Sequence, residues 1–294
     1  MKLNWQLYVL IVPPIAWFLV FQYLPLYGIQ LAFKDFIAVE GIWRSPWVGM
    51  ENFERFFRSY NFWTLIRNTL EVSLYQLVLG FPAPILLALM LNEVVIVKFK
   101  KTVQMVAYAP HFISTVVIVG MLGVFLSQET GLLNIALEKL GLDQIAFLSS
   151  PSWFKTLFVT SGVWQGVGWS SIIYLAALSG VDTQLHEAAI VDGASKIQRI
   201  WHINIPGILP TIIILLILEI GGLMSIGFEK IFLMQNALNL SSSDVISTYV
   251  YRIGLLGADF SFATAVGLFN SIINCLLLLY VNAYSRRLTK TSLW

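Results

Sequence analysis

Two groups of residues in this chain have types and spacings suited to chemistry. The first is Trp164, Gln165, Trp169, Ser170, Ser171 and Tyr174, flat aromatic faces interleaved with hydrogen-bonding groups in one apolar segment. Ring faces that stack, with amides and hydroxyls beside them, suit the recognition of sugar rings. Tyr75 and Gln76 in an earlier apolar segment, and Asn270, Ser271 and Asn274 in a later one, extend the set. Glu219 is the acidic residue of another apolar run, where an ionised carboxylate in lipid costs about 2.5–3.5 kcal/mol, so it must face protein or water. It reads either as a functional residue, on a substrate path or at the contact with a partner, or as a protonated or hydrogen-bonded structural residue. Polar side chains in apolar helices also serve to join helices, which is the simpler reading for any one of these positions.

The second group is Glu187-Ala188-Ala189-Ile190-Val191-Asp192-Gly193-Ala194, followed by Ile203-Asn204-Ile205-Pro206. Asp182 or Thr183 can cap a helix over the good helix formers that follow, and Gly193 supplies the permissive backbone that ends it. Ser195 can cap a second helix, with Ile197, Ile200, Trp201 and Ile205 at roughly helical spacing and Pro206 as its expected terminator. The expected product is a helix-turn-helix knob with two small alanines, over which a partner's backbone can approach closely. Glu187 is placed for a polar contact at one end.

Catalytic patterns are missing. There is no G-x-x-x-x-G-K-[ST] loop to cradle phosphates, no G-x-S-x-G elbow, and no paired spacing among His111, His186 and His202. The single Cys275 lies in an apolar run, which excludes an internal disulfide or a cysteine metal site. The chain is therefore expected to be no enzyme and to hold no metal or cofactor.

These groups must be positioned by apolar elements. Of 294 residues, 57% are hydrophobic and 12% charged, with a mean hydropathy of +0.77, the balance of a membrane protein. Six segments reach the ~20 apolar residues a bilayer core requires: 7–31, 69–91, 103–126, 156–180, 208–228 and 262–284. The expected fold is thus an all-α membrane protein of six transmembrane helices in one domain, 1–294, with the knob in the loop 181–207 between spans four and five. Pro13 and Pro14 in the first span and Pro82 and Pro84 in the second should bend or locally open those helices. The first segment is too long for a secretory signal and lacks a small-residue cleavage site, so it reads as a retained span.

Lys and Arg set orientation, and the two faces tie at nine each. One face, with Lys2, Lys98, Lys100, Lys101, Lys196, Arg199, Arg286, Arg287 and Lys290, packs them into shorter segments and is the expected cytoplasmic face. The knob and both termini fall on it. The other face includes Lys155 and Lys230 and spreads its charges over long loops. In the first of these loops, Phe53, Phe56, Phe57, Phe62, Trp63 and Ile66 alternate with charges in the manner of an interfacial amphipathic helix. Ile135–Leu140 suggests a short helix in the second loop, and Ser241–Asp244 a helix start in the third. Asn239-Leu240-Ser241 matches a glycosylation acceptor. A net charge of +2, without a basic patch, argues against a nucleic-acid partner.

The Glu187 loop resembles the EAA loop of binding-protein-dependent ABC importer permeases, with Ile205 where Leu is usual. Asn52-Phe53, Phe62-Trp63, Asn68-Thr69, Ala177-Leu178 and Gly227-Phe228-Glu229-Lys230-Ile231-Phe232 narrow the resemblance to the sugar class that includes the maltose permeases. Ser243 to Arg252 and Phe260 to Ala265 are similar to its oligosaccharide and polysaccharide branch, for which alginate is one candidate substrate. The resemblance implies a second homologous permease, two ATPase subunits that hold ATP and Mg, an extracytoplasmic substrate-binding protein, and a bacterial inner membrane whose lipid surrounds the spans. It also implies that Glu187, Ala188, Ala189, Asp192, Gly193, Ala194, Ile203 and Pro206 contact an ATPase. Tyr75, Gln76, Trp164, Gln165, Trp169, Glu219, Asn270 and Asn274 are the candidates for the substrate pathway. The alternative is a self-sufficient secondary transporter or channel for a small polar solute, which leaves the Glu187 loop unexplained.

Overall fold

The computed structural model describes residues 5–289 and 291–294, so Lys2 and Lys290 lie outside the described residues. The described chain is helical, with one isolated antiparallel bridge, Lys34 to Trp47. Four helical runs are long and apolar enough to cross a membrane: Leu7–Phe33, Phe62–Asn92, Lys196–Gly221 and Phe260–Arg287. A fifth is broken, Val97–Phe112 and Thr115–Phe125 meeting at 99°. The expected third span is therefore not straight. Pro110 sits in a 3-10 turn, Ala109–Phe112, and Ser114 restarts the chain by accepting a hydrogen bond from the Val117 amide at 3.4 Å. The expected fourth span is a helix, Pro151–Ser179, of 29 residues. Lys155, Gln165 and its many Ser, Thr, Gly and Trp positions leave it less apolar than the other four.

The chain divides into two units, Met1–Trp63 with Ile246–Ile272, and Thr64–Val245 with Ile273–Trp294. In the first, Trp5–Phe18 is α-helical through Pro13 and Pro14, and the helix loosens one turn later into a π turn, Leu19–Tyr23, then a 3-10 run, Leu24–Phe33. Ala32 is buried against Phe53 and Ala265. The Asn52 amide donates to the Ala32 and Lys34 carbonyls, both at 3.1 Å, and fixes the end of that run. The amphipathic stretch is shorter than expected. Glu51–Phe57 is one helix, and a new one starts at Phe62 after a break at residues 58–61. Phe56 is fully buried among the edges of Phe62, Phe262 and Phe269, and Arg55 pairs with Asp259 at 2.7 Å.

The second unit holds the two candidate sites. Phe62–Gly80 and Pro82–Asn92 meet at Phe81, where Pro82 and Pro84 lack the N–H groups that would continue the ladder. Val97–Tyr108 crosses Pro151–Ser179 at Gly168, where even a methyl group would lie 2.0 Å from the Ala107 carbonyl oxygen. One core packs Val72, Phe154, Phe158, Val159, Ile231, Met234 and Val245; another packs Ala88, Leu89, Tyr174, Leu178 and Ile208. The loops are pinned by buried asparagines. Asn134, on the helix Leu132–Lys139, bonds the Ser127 and Ile145 carbonyls and the Ile145 amide. Asn239 donates to the Leu148 and Met234 carbonyls and accepts from the Asn236 amide and the Ser243 hydroxyl. It is fully buried, so the glycosylation reading fails.

The fifth span ends earlier than expected. Its final helix, Ile205–Gly221, stops at Gly221-Gly222, and a short helix, Phe228–Met234, follows a turn. A side chain at Gly221 would meet Leu278 Cδ1 at 2.6 Å, so the glycine pair lets the chain approach the last helix closely and turn away.

Candidate functional site

The early end of that helix changes the setting of Glu219. It lies not at mid-span but in the last turn of Ile205–Gly221, beside a cavity of about 270 Å³. That volume is near the lower end of small-molecule pockets, about 300 Å³. Ser73 and Gln76 reach it from Phe62–Gly80, Gly162 and Gln165 from Pro151–Ser179, and Ser225 and Lys230 from the segment after Gly221. Gln76 and Glu219 also line an adjoining cavity with Ser170 and Tyr174. Gln76, Gln165 and Glu219 are thus brought together from three segments of the chain, as hydrogen-bonding groups around a space open to a ligand.

The other pathway candidates are not brought there. Tyr75 packs on the core around Val72 and points its hydroxyl at Thr156 Oγ1, 3.5 Å away. Trp164 and Trp169 are exposed; Trp169 stacks on the His111 ring at 4.5 Å with the planes 2° apart. Asn274 braces the turn after Gly221, accepting from the Met224 amide at 2.9 Å and donating to Ser225 Oγ at 2.8 Å. Asn270 belongs to the other unit, and its buried Oδ1 has no hydrogen-bond partner among the described residues.

Lys230 lines the cavity too, although its neighbours in sequence read as an outer loop. It is only 9% exposed. Its Nζ donates to the Phe158 carbonyl at 3.0 Å and lies 5.1 Å above the Phe158 ring. Gly162 leaves the room: a Cβ there would sit 3.3 Å from Lys230 Nζ and 3.6 Å from Gln76 Oε1. Burial pushes the ammonium down to about 8, so it stays largely charged at neutral pH. Lys155, another cation of the helix face, is neutralised by an ion pair with Glu71 and a 3.2 Å bond to Asn68 Oδ1.

The knob forms as its caps require. Asp182 accepts from the Gln184 amide at 2.9 Å and starts Thr183–Val191. Gly193 has φ +79°, and the Ala194 amide reaches back to the Ala189 carbonyl at 2.8 Å, the left-handed helix ending that glycine permits. Ser195 and Gln198 cap Lys196–Arg199 reciprocally. Pro206 does not terminate this second helix. A π turn, Ile200–Asn204, leads into Ile205–Gly221, and Pro206 occupies its first turn, where a missing N–H costs nothing. Glu187, Ala188, Asp192, Gly193 and Pro206 are exposed, Ala189, Ala194 and Ile203 half-buried. Val191 and Ile197 stand 87% and 78% exposed on the same knob.

Residues 80–290 match the model of a family described as binding-protein-dependent transport system inner membrane component. The chain is 42% identical to Protein LplB of Bacillus subtilis (strain 168) over 294 residues, covering 100% of this chain and 92% of that one. It is 43% identical to the polygalacturonan/rhamnogalacturonan transport system permease protein YteP of the same organism, over 96% of this chain and 88% of that one. A crystal structure of a bacterial ABC transporter involved in the import of the acidic polysaccharide alginate superimposes with a TM-score of 0.90 at 43% identity, covering 98% of this chain and 97% of that one.

Proposed function

The chain belongs to the family of binding-protein-dependent transport system inner membrane components, and we propose that within it this protein is the permease subunit of an ATP-driven importer of an acidic oligo- or polysaccharide, alginate or a related uronide. The similarity to the alginate importer and to a polygalacturonan/rhamnogalacturonan permease, nearly end to end, supports the substrate class. On this reading 1–294 is one permease domain. The bent pair Val97–Phe112 and Thr115–Phe125 is the third of six spans, Pro151–Ser179 is the fourth, and both termini are cytoplasmic.

The observation that carries the mechanism is the knob. A capped helix with exposed Val191 and a glycine at φ +79° presents apolar surface on a polar loop, the form of a docking element rather than of a free one. We assign it to an ATPase subunit, with Glu187, Ala188, Ala189, Asp192, Gly193, Ala194, Ile203 and Pro206 at or beneath the contact. ATP and Mg are held by that partner, a second homologous permease completes the pathway, and an extracytoplasmic binding protein delivers the substrate. ATP acts by favouring one conformation of the ATPase pair, and the continuity of Lys196–Gly221 carries movement of the knob directly to the end of the helix at Glu219. The substrate pathway is the space around Gln76, Gln165 and Glu219.

The test is reconstitution of the chain with its copurifying partners in liposomes. Uptake of an oligouronide that requires both ATP and the binding protein is the expected result. Uptake by this chain alone, driven by an ion gradient, would overturn the proposal in favour of a secondary transporter.

A further inference from the structure

The cavity holds a cation, Lys230, that is not ion-paired with the one carboxylate of its lining, Glu219. Among the described residues Lys230 makes no ion pair, and the carbonyl of Phe158 uses only one of its three N–H donors. A buried charge without a counter-ion is costly. It is tolerated where the counter-ion arrives with a ligand, and Lys230 lines a cavity with the hydrogen-bonding groups a polar ligand needs. The bland account is that Lys230 only ties the helix Phe228–Met234 to the Phe158 carbonyl. A neutral amide would do that without the burial cost, and it would not need the room left by Gly162.

A uronic acid unit presents one carboxylate and several hydroxyls. The cavity presents one ammonium, and its lining also includes the amides of Gln76 and Gln165 and the carboxylate of Glu219. Gln76 Oε1 and Lys230 Nζ converge on the same glycine, 3.6 and 3.3 Å from its Cβ position, so a group over Gly162 meets both. We infer that Lys230 is the specificity-determining residue of the pathway, its ammonium taking the carboxylate of an acidic sugar unit while Gln76, Gln165 and Glu219 take the hydroxyls. This rests on the reading of the chain as an importer permease for saccharides. It supplies a cation, free of an ion pair among the described residues, of the kind an acidic substrate requires along its route.

The experiment compares uptake of an oligogalacturonate or oligomannuronate with uptake of its carboxyl-reduced, neutral counterpart. It uses the intact complex in liposomes at concentrations that saturate the binding protein. Lys230→Met removes the charge; Lys230→Gln removes it but keeps a donor for the Phe158 carbonyl, and it decides the matter if Lys230→Met fails to assemble. The expected result is a fall of at least about ten-fold in the ratio of acidic to neutral uptake in both variants, since bonds to charged groups are the strong ones. A ratio unchanged within about two-fold, with the wild type carrying the uronide, would overturn the role of Lys230 and leave the importer reading intact. A wild-type complex that carries neither saccharide would overturn both.

Discussion

Gly193 occupies a backbone conformation that side chains disfavour, φ +79°, with nothing within 4 Å of its Cβ position. Space is therefore not the constraint; the dihedral is. Valine there costs about 1–2 kcal/mol locally and shifts the helix ending that presents Val191 and Glu187. The expected outcome of Gly193→Val is ATP hydrolysis that continues while saccharide uptake per ATP falls several-fold, measured in the reconstituted complex. Normal transport by the variant would count against the knob as the coupling element. Asn239 makes the opposite case, since its role is wholly structural. Replacing it with alanine strands the Met234 carbonyl, the Asn236 amide and the Ser243 hydroxyl in a buried loop, while the Leu148 carbonyl keeps its bond from Asn236 Nδ2, at about 2–4 kcal/mol. Asn239→Asp keeps the acceptor but loses both donors and should be nearly as harmful, as read by the thermal unfolding midpoint of the purified protein.

At the scale of elements, the crossing of Val97–Tyr108 over Pro151–Ser179 sets where Gln165 stands. Gly168 brings backbone onto backbone there, 2.0 Å from the Ala107 oxygen to a Cβ that is not present. Gly168→Ala must part the two helices and is expected to cost about 3 kcal/mol or more. Gly166, one turn face away on the same helix, has nothing within 4 Å, and Gly166→Ala should be neutral or stabilising by up to about 1 kcal/mol. Equal effects of the two on the unfolding midpoint would show that the close approach is not what holds the crossing. The same crossing explains the polar character of Pro151–Ser179. Gln165 donates to the Ile113 carbonyl at 3.0 Å, at the break of the bent pair, so the helix supplies a bond the break requires.

For the whole molecule, the run Leu7–Phe33 has a hydropathy suited to a bilayer and no part of its apolar window buried within the chain. The knob leaves Ile197 and Val191 uncovered. Surfaces of both kinds are expected to be covered by lipid and by other subunits. Gentle extraction from the native membrane should therefore recover the chain with a second permease and an ATPase that carries a phosphate-binding loop, identified by mass. Recovery alone, under conditions that keep other membrane complexes intact, would contradict the assembly.

The sequence by itself determined the membrane class, the helical content, the caps of the knob and its glycine turn. These depend on composition and on contacts between residues a few positions apart, which pattern reports directly. It also pointed to Gln76, Gln165 and Glu219, whose polarity is conspicuous against apolar neighbours. What only the tertiary structure decided is which polar groups share a space. Tyr75, Trp164 and Trp169 look as suitable as Gln165 in one dimension, yet helix rotation turns them to the core or the exterior. Pro206 reads as a stop until the chain is seen to run on from Asn204, where its first-turn position needs no N–H. Lys230 reads as a loop cation until the glycine pair at Gly221 ends the fifth span early and folds the following helix back against Phe158. The close fit of Gly221 to Leu278 at that break is a contact between residues distant in sequence, and no local pattern encodes it.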